Sequence, residues 1–298
     1  MPASPAARLV APSKHYENFP VASWLCPPRL RPPIAAIYRF ARTADDLADE
    51  GEANASERLD DLRAFGDDLA AVARGAAASG RWPEVFLPLA QEMHRFQLPE
   101  HLLADLLSAF TQDVRNTHDG QGHADCDSLL DYCRRSANPI GRLLLHLYGV
   151  DDPRALAQSD AICSALQLTN FWQDLSVDLP RGRFYVPTAD SSAHGLDRDA
   201  LRRCVSLPPV LVPPEAKALI SKEIAWTRAL MHQGAPLVHR LAGRVGWELR
   251  LVVQGGLRIL EKIEASGYGS FCQRPVIAKS DTPLLIWRAL RMSRQSAA

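Results

Sequence analysis

Two segments of this 298-residue chain set carboxylates four residues apart, more than a hundred residues from each other. The first is Tyr38-Arg39-Phe40-Ala41-Arg42-Thr43-Ala44-Asp45-Asp46-Leu47-Ala48-Asp49-Glu50. Residues three or four apart share a helix face, so Tyr38, Arg42, Asp45 and Asp49 form a polar stripe, with Asp46 and Glu50 about a quarter-turn around it. Carboxylates this close repel, and without a partner some stay protonated. A hard divalent cation removes the repulsion, and carboxylate oxygens suit magnesium. A solvated acidic helix end would carry the same residues. The second segment, Gln167 to Asp178, aligns Gln167, Asn170, Asp174 and Asp178, while Phe171, Trp172, Leu175 and Val177 spread over the other sides. Polar groups flanked by so much apolar surface make either a reactive face or a buried hydrogen-bond network.

Facing each other, the two stripes could hold several magnesium ions, and Mg²⁺ readily keeps phosphate oxygens among its ligands. Such ions stabilise charge that develops as diphosphate leaves, and apolar walls then shield the remaining carbocation from water. Arg181-Gly182-Arg183-Phe184-Tyr185-Val186-Pro187 follows directly. Its two arginines could close over a diphosphate, although a solvated loop would look alike.

The elements that must position these groups are helices. Apolar residues recur every three or four positions, and strand signals are nearly absent. The pattern predicts helices over 33–50, 56–74 (with Ser56 as N-cap), 84–96, 100–117, 128–148, 152–179, 215–233, 236–265 and 283–294. Pro139 is expected to kink or interrupt the fifth. The loop 180–187 and the proline-rich connection 206–214 separate them. No repeat or linker divides the chain, so the expectation is an all-α single domain over 14–298 after a flexible segment, 1–13.

Lys plus Arg and Asp plus Glu both number 34, so there is no basic excess to suggest a nucleic-acid partner. Six scattered cysteines, without zinc-like spacing, read as reduced, buried thiols in a cytosolic protein. No signal-peptide pattern opens the chain, and the most apolar late stretch, 249–260, is too short to span a bilayer. The expectation is a cytoplasmic protein with at most peripheral contact at the inner membrane surface.

These residues resemble the squalene and phytoene synthase family from His15 to about Gly269. The resemblance rests on Tyr38 and Arg42 with Asp45-Asp46-x-x-Asp49, on Gln167-Leu168-x-Asn170 with Asp174 and Asp178, and on the Arg-Gly-Arg-x-Tyr loop. It implies an isoprenoid-synthase helical bundle around a central cavity. Further segments, His15 to Ser23, Ala44 to Gly51, Ser136 to Arg142 and Asn170 to Asp174, resemble the bacterial hydroxysqualene-forming branch. That branch implies presqualene diphosphate and water as substrates, hydroxysqualene and diphosphate as products, Mg²⁺ and no NADPH. It also implies contact with the preceding and following squalene-pathway enzymes.

By the same resemblance, Asp45, Asp49, Asp174 and Asp178 hold magnesium, Asp46 supports them and Asp113 joins the site. Tyr38, Arg42, Arg181, Arg183 and Tyr185 contact diphosphate. Tyr132, Gln167 and Asn170 line the cavity, and Tyr132, Asn170 or Gln173 are candidates to position the capturing water. Tyr132 could equally be a packed aromatic with its hydroxyl satisfied. Asn138-Pro139 is expected to bend a helix near the cavity. Condensing members usually carry arginine where this chain has Gln173, and losing that cation fits a reaction with one diphosphate rather than two. The alternatives are a head-to-head condensing enzyme (presqualene diphosphate or phytoene synthase), a terpene cyclase and a non-catalytic scaffold member. No Rossmann-type glycine motif is present.

Overall fold

A computed structural model describes residues 27–292; the N-terminal segment and the His15–Ser23 motif lie outside them. Among the described residues no strand forms, and the chain builds a single helical domain.

The first four α-helices of the described residues pack against one another: α1 (Arg31–Asp49), α2 (Ala55–Ala73), α3 (Pro83–Phe96) and α4 (Glu100–Asp119). The cap of α2 is Asn54, not the expected Ser56. Its side chain accepts from Glu57 N, while the Glu57 side chain accepts from Asn54 N, so two otherwise unpaired donors at the helix start are satisfied. Phe40, Phe65, Trp82 and Phe86 pack as one aromatic nest, with Phe40 and Phe65 ring centroids 5.0 Å apart. Each such ring contributes on the order of 1.5–3 kcal/mol by burial. This nest fixes the face of α1 opposite its acidic stripe.

Pro139 interrupts the predicted fifth helix, giving α5 (Cys126–Ser136) and α6 (Asn138–Leu147). A proline lacks the N–H an interior helical position needs but is tolerated in the first turn, where Pro139 now sits. Ser164 Oγ donates to Asn138 Oδ1 at 2.9 Å, tying the break to α7 (Pro153–Gln173). The long helix expected over 152–179 stops at Gln173. Asp174 leaves helical geometry (φ −102°, ψ 16°), and one turn, α8 (Leu175–Asp178), follows.

Two short helices, α9 (Thr188–Ala193) and α10 (Arg198–Val205), had no clear period in the sequence. Neither spans enough turns to show one, and Asp197 caps α10 by accepting from Ala200 N. The bundle closes with α11 (Pro214–Gly234), α12 (Gly243–Ala265) and α13 (Thr282–Arg291). The expected 236–265 helix begins instead as a 3₁₀ turn, Ala235–His239, and becomes α-helical only at Gly243, whose φ of 63° favours glycine.

Candidate active site

Helices α1, α4, α5, α6, α7 and α12 surround a cavity of ≈ 560 Å³. Along α1 the lining changes from Ile34, Ile37 and Ala41 to Asp45 and Asp49; along α7 and the Asp174 that caps its end, it changes from Ile162 and Leu166 to Asn170 and Asp174. Both helices thus run from a greasy half to an acidic end. At 1.5 Å per residue, Ile34 and Asp49 lie about 22 Å apart along α1.

The acidic ends meet through one side chain. Arg183, from the loop after α8, places Nη2 2.7 Å from Asp49 Oδ1 and Nη1 3.9 Å from Asp178 Oδ1. The two motifs therefore face each other across the width of a guanidinium group. Arg42 pairs within its own helix with Asp45 (3.2 Å) and Asp46 (2.7 Å). Asp113, from α4, accepts a 2.5 Å hydrogen bond from the Tyr132 hydroxyl. Tyr185 stacks on Phe171 with centroids 3.8 Å apart, making an aromatic wall beside these carboxylates.

Burial governs the electrostatics. It pushes the carboxyls of Asp45 and Asp178 up to about 7, with the Asp49 charge adding for Asp45 and Arg183 opposing for Asp178. Burial also raises Asp113 to about 8 against the Tyr132 hydrogen bond, and raises Asp49 against Arg183 and Arg181. The accessible surface that Asp45 retains lines the cavity. Enclosed carboxylates that face one another, offering only oxygen donors, suit a hard divalent cation.

Of the sequence-predicted site residues, Tyr38, Arg42, Asp45, Asp49, Asp113, Tyr132, Gln167, Asn170, Asp174, Asp178, Arg181, Arg183 and Tyr185 all line this cavity. Two do not. Asp46 lies outside the lining, held by Arg42. Gln173, expected at the cavity wall, is buried elsewhere: its Nε2 donates to Pro275 O at 2.6 Å. The physical reason is the helical period, which turns Gln173 about 100° from Asp174 and into the packed segment before α13.

That segment holds the residue that sequence reasoning missed. Arg274 forms a two-pronged ion pair with Asp174 and lines the cavity. It lies 100 residues from its partner, in a stretch without helical period, so no local spacing marked it. Glu248 of α12 also reaches the lining without belonging to any motif.

The chain belongs to the squalene/phytoene synthase family, which matches residues 13–281. The hydroxysqualene synthase of Rhodopseudomonas palustris is 33% identical over 250 residues, covering 83% of this chain and 80% of that protein. The hydroxysqualene synthase of Zymomonas mobilis is 35% identical over 223 residues, 74% of this chain and 71% of that one. A crystal structure of squalene synthase HpnC from Alicyclobacillus acidocaldarius superposes with a TM-score of 0.74 at 33% identity, covering 85% of this chain and 90% of that one. The family comprises isoprenoid synthases that use a divalent metal with diphosphate substrates. The enclosed, all-oxygen donor set found here fits such a metal.

Proposed function

We propose that this chain is a hydroxysqualene synthase, converting presqualene diphosphate and water to hydroxysqualene and diphosphate. The observation that carries the reading is Arg183 spanning Asp49 and Asp178, which joins the two acidic motifs at the end of a long apolar chamber. The named relatives agree with it.

In this reading Asp45, Asp49, Asp113, Asp174 and Asp178 hold Mg²⁺, with Asp46 supporting through its bond to Arg42. When bound, the metal offsets negative charge building on the departing diphosphate. Arg42, Arg181 and Arg183 clamp its oxygens, with Tyr38 and Tyr185 beside them. The C–O bond breaks with its electron pair leaving on diphosphate, and a cyclopropylcarbinyl cation remains. The ring faces of Phe171, Tyr185 and Tyr132 stabilise positive charge, and the apolar lining excludes stray water. After rearrangement, a water held by Asn170, Gln167 or the Tyr132–Asp113 pair forms the new C–O bond, and its proton passes to the released diphosphate or to a further water. No hydride is consumed, so NADPH has no role. The waiting cation is reactive enough for neutral water, and no strong base is required.

The test is presqualene diphosphate with Mg²⁺ and no NADPH, followed by mass analysis of the lipid. An oxygenated C30 alcohol is expected. Squalene formed only with NADPH overturns the reading, and diphosphate released from farnesyl diphosphate alone moves it to a condensing enzyme.

The protein in this reading is cytoplasmic, receives its substrate from the preceding squalene-pathway enzyme and passes its product to the following one. Contact with the inner membrane surface is peripheral. Among the described residues no helix is long and apolar enough to cross a membrane. Exposed Trp247, Leu251, Ile286, Trp287 and Leu290 support the contact, with Arg250 and Arg291 stacked on the two tryptophans.

A further inference from the structure

Away from the cavity, Cys126, Asp190 and Glu223 bring a thiol and two carboxylates together, with one ligand atom from each within 4.8 Å of the others. They come from three elements: the first residue of α5, the middle of α9 and the centre of α11. Backbone bonds from Thr188 N to His123 O and from Ala189 N to Ala124 O, both 2.9 Å, clamp α9 against the start of α5. The arrangement is therefore built into the fold. Cys126, read from the sequence as a small buried apolar residue, is half-buried and turned toward Asp190, Sγ to Oδ2 3.4 Å.

Glu223 is the anomaly. It is 0% exposed, and no donor reaches either carboxylate oxygen; only the Asp190 carboxyl, itself an acceptor when ionised, lies within hydrogen-bonding reach. A buried polar group without a partner calls for an ion, a water or a proton to explain it. Burial raises this carboxyl to about 8, with Asp190 adding to the effect.

The geometry points to a second cation site, Cys126–Asp190–Glu223, for a borderline transition metal such as Zn²⁺ or Co²⁺. One sulfur and two oxygens suit these ions better than Mg²⁺. Ligand atoms around a tetrahedral zinc lie about 3.3–3.7 Å apart, given bonds of about 2.0–2.3 Å, and the 3.4 Å from Sγ to Oδ2 fits that edge. Charge also balances. Lys222 Nζ sits 2.5 Å from Asp190 Oδ1, leaving Oδ2 facing the thiol. A thiolate and two carboxylates carry three negative charges, which the divalent ion and Lys222 together neutralise. Burial pushes the Cys126 thiol up to about 12, so the ion must displace its proton, as bound metals do. α9 directly follows the loop carrying Arg183 and Tyr185, so an ion here would fasten the outer end of that loop.

The experiment is a Co²⁺ titration of the full chain, stripped with chelator and kept in excess Mg²⁺ so that the oxygen-lined site is occupied. A near-ultraviolet sulfur-to-cobalt charge-transfer band is expected, saturating at one equivalent and bleached by Zn²⁺. Cys126→Ser should abolish the band, and Glu223→Gln should weaken Co²⁺ binding by about tenfold or more. Absence of the band overturns the proposal, as does a band that survives Cys126→Ser. If Glu223 instead shares a proton with Asp190, Glu223→Gln binds no less cobalt than wild type and melts no lower; either result also overturns it.

Discussion

Arg183 faces carboxylates from both motifs, Asp49 at 2.7 Å and Asp178 at 3.9 Å, and in the proposed reading it is one of the cations that follow diphosphate as it leaves. Arg183→Ala should lower kcat by about a hundredfold or more, as loss of one transition-state donor does, with Arg183→Lys recovering only part because it cannot fork. Diphosphate release from presqualene diphosphate measures both. The carboxylates themselves predict a pH-dependent metal response. Asp45 and Asp178 near 7 and Asp113 near 8 lie above the free value of 3.8, so in the metal-free protein their stabilising contribution is complete below about pH 4. It is lost as pH rises through 7 to 8, where they ionise away from water and, secondarily, against one another. Mg²⁺ takes the place of those protons, so its upward shift of Tm should grow from about pH 5 to about pH 8. A shift as large at the acid end would contradict the assignment.

Helix contacts set where those residues stand. α7 carries the second motif, and α11 lies so close to it that a Cβ on Gly234 would meet the Gln158 carbonyl oxygen and Ile162 Cγ1, each at 2.6 Å. Backbone cannot step aside as a side-chain end can. Gly234→Ala should therefore cost roughly 1–3 kcal/mol, seen as a lower urea midpoint with an unchanged m-value. At this scale the sequence was most legible. The apolar period of α1 through α4 is long and regular, and the predicted bounds there fall within two residues of the observed ones. It was least legible where helices are short or interrupted. The break at Asp174, α9 and α10 are decided by contacts with neighbouring elements, which no local period records.

For the molecule as a whole, the apolar patch on α12 and α13 predicts binding to vesicles containing anionic lipid, weakened by salt because its arginines contribute. Co-sedimentation should show Trp247→Ala with Trp287→Ala losing most of the bound fraction; equal binding by the double variant would assign the contact elsewhere. The acidic stripes, the arginine loop and the helical class were determined by the sequence alone, because a spacing of three or four residues fixes a shared helix face whatever surrounds it. Only the tertiary structure decided that Arg183 bridges the stripes, that Arg274 joins Asp174, that Gln173 turns away, and that Cys126, Asp190 and Glu223 converge. Those pairings join residues far apart in the chain, and their geometry is set by how whole helices pack rather than by any interval along one of them.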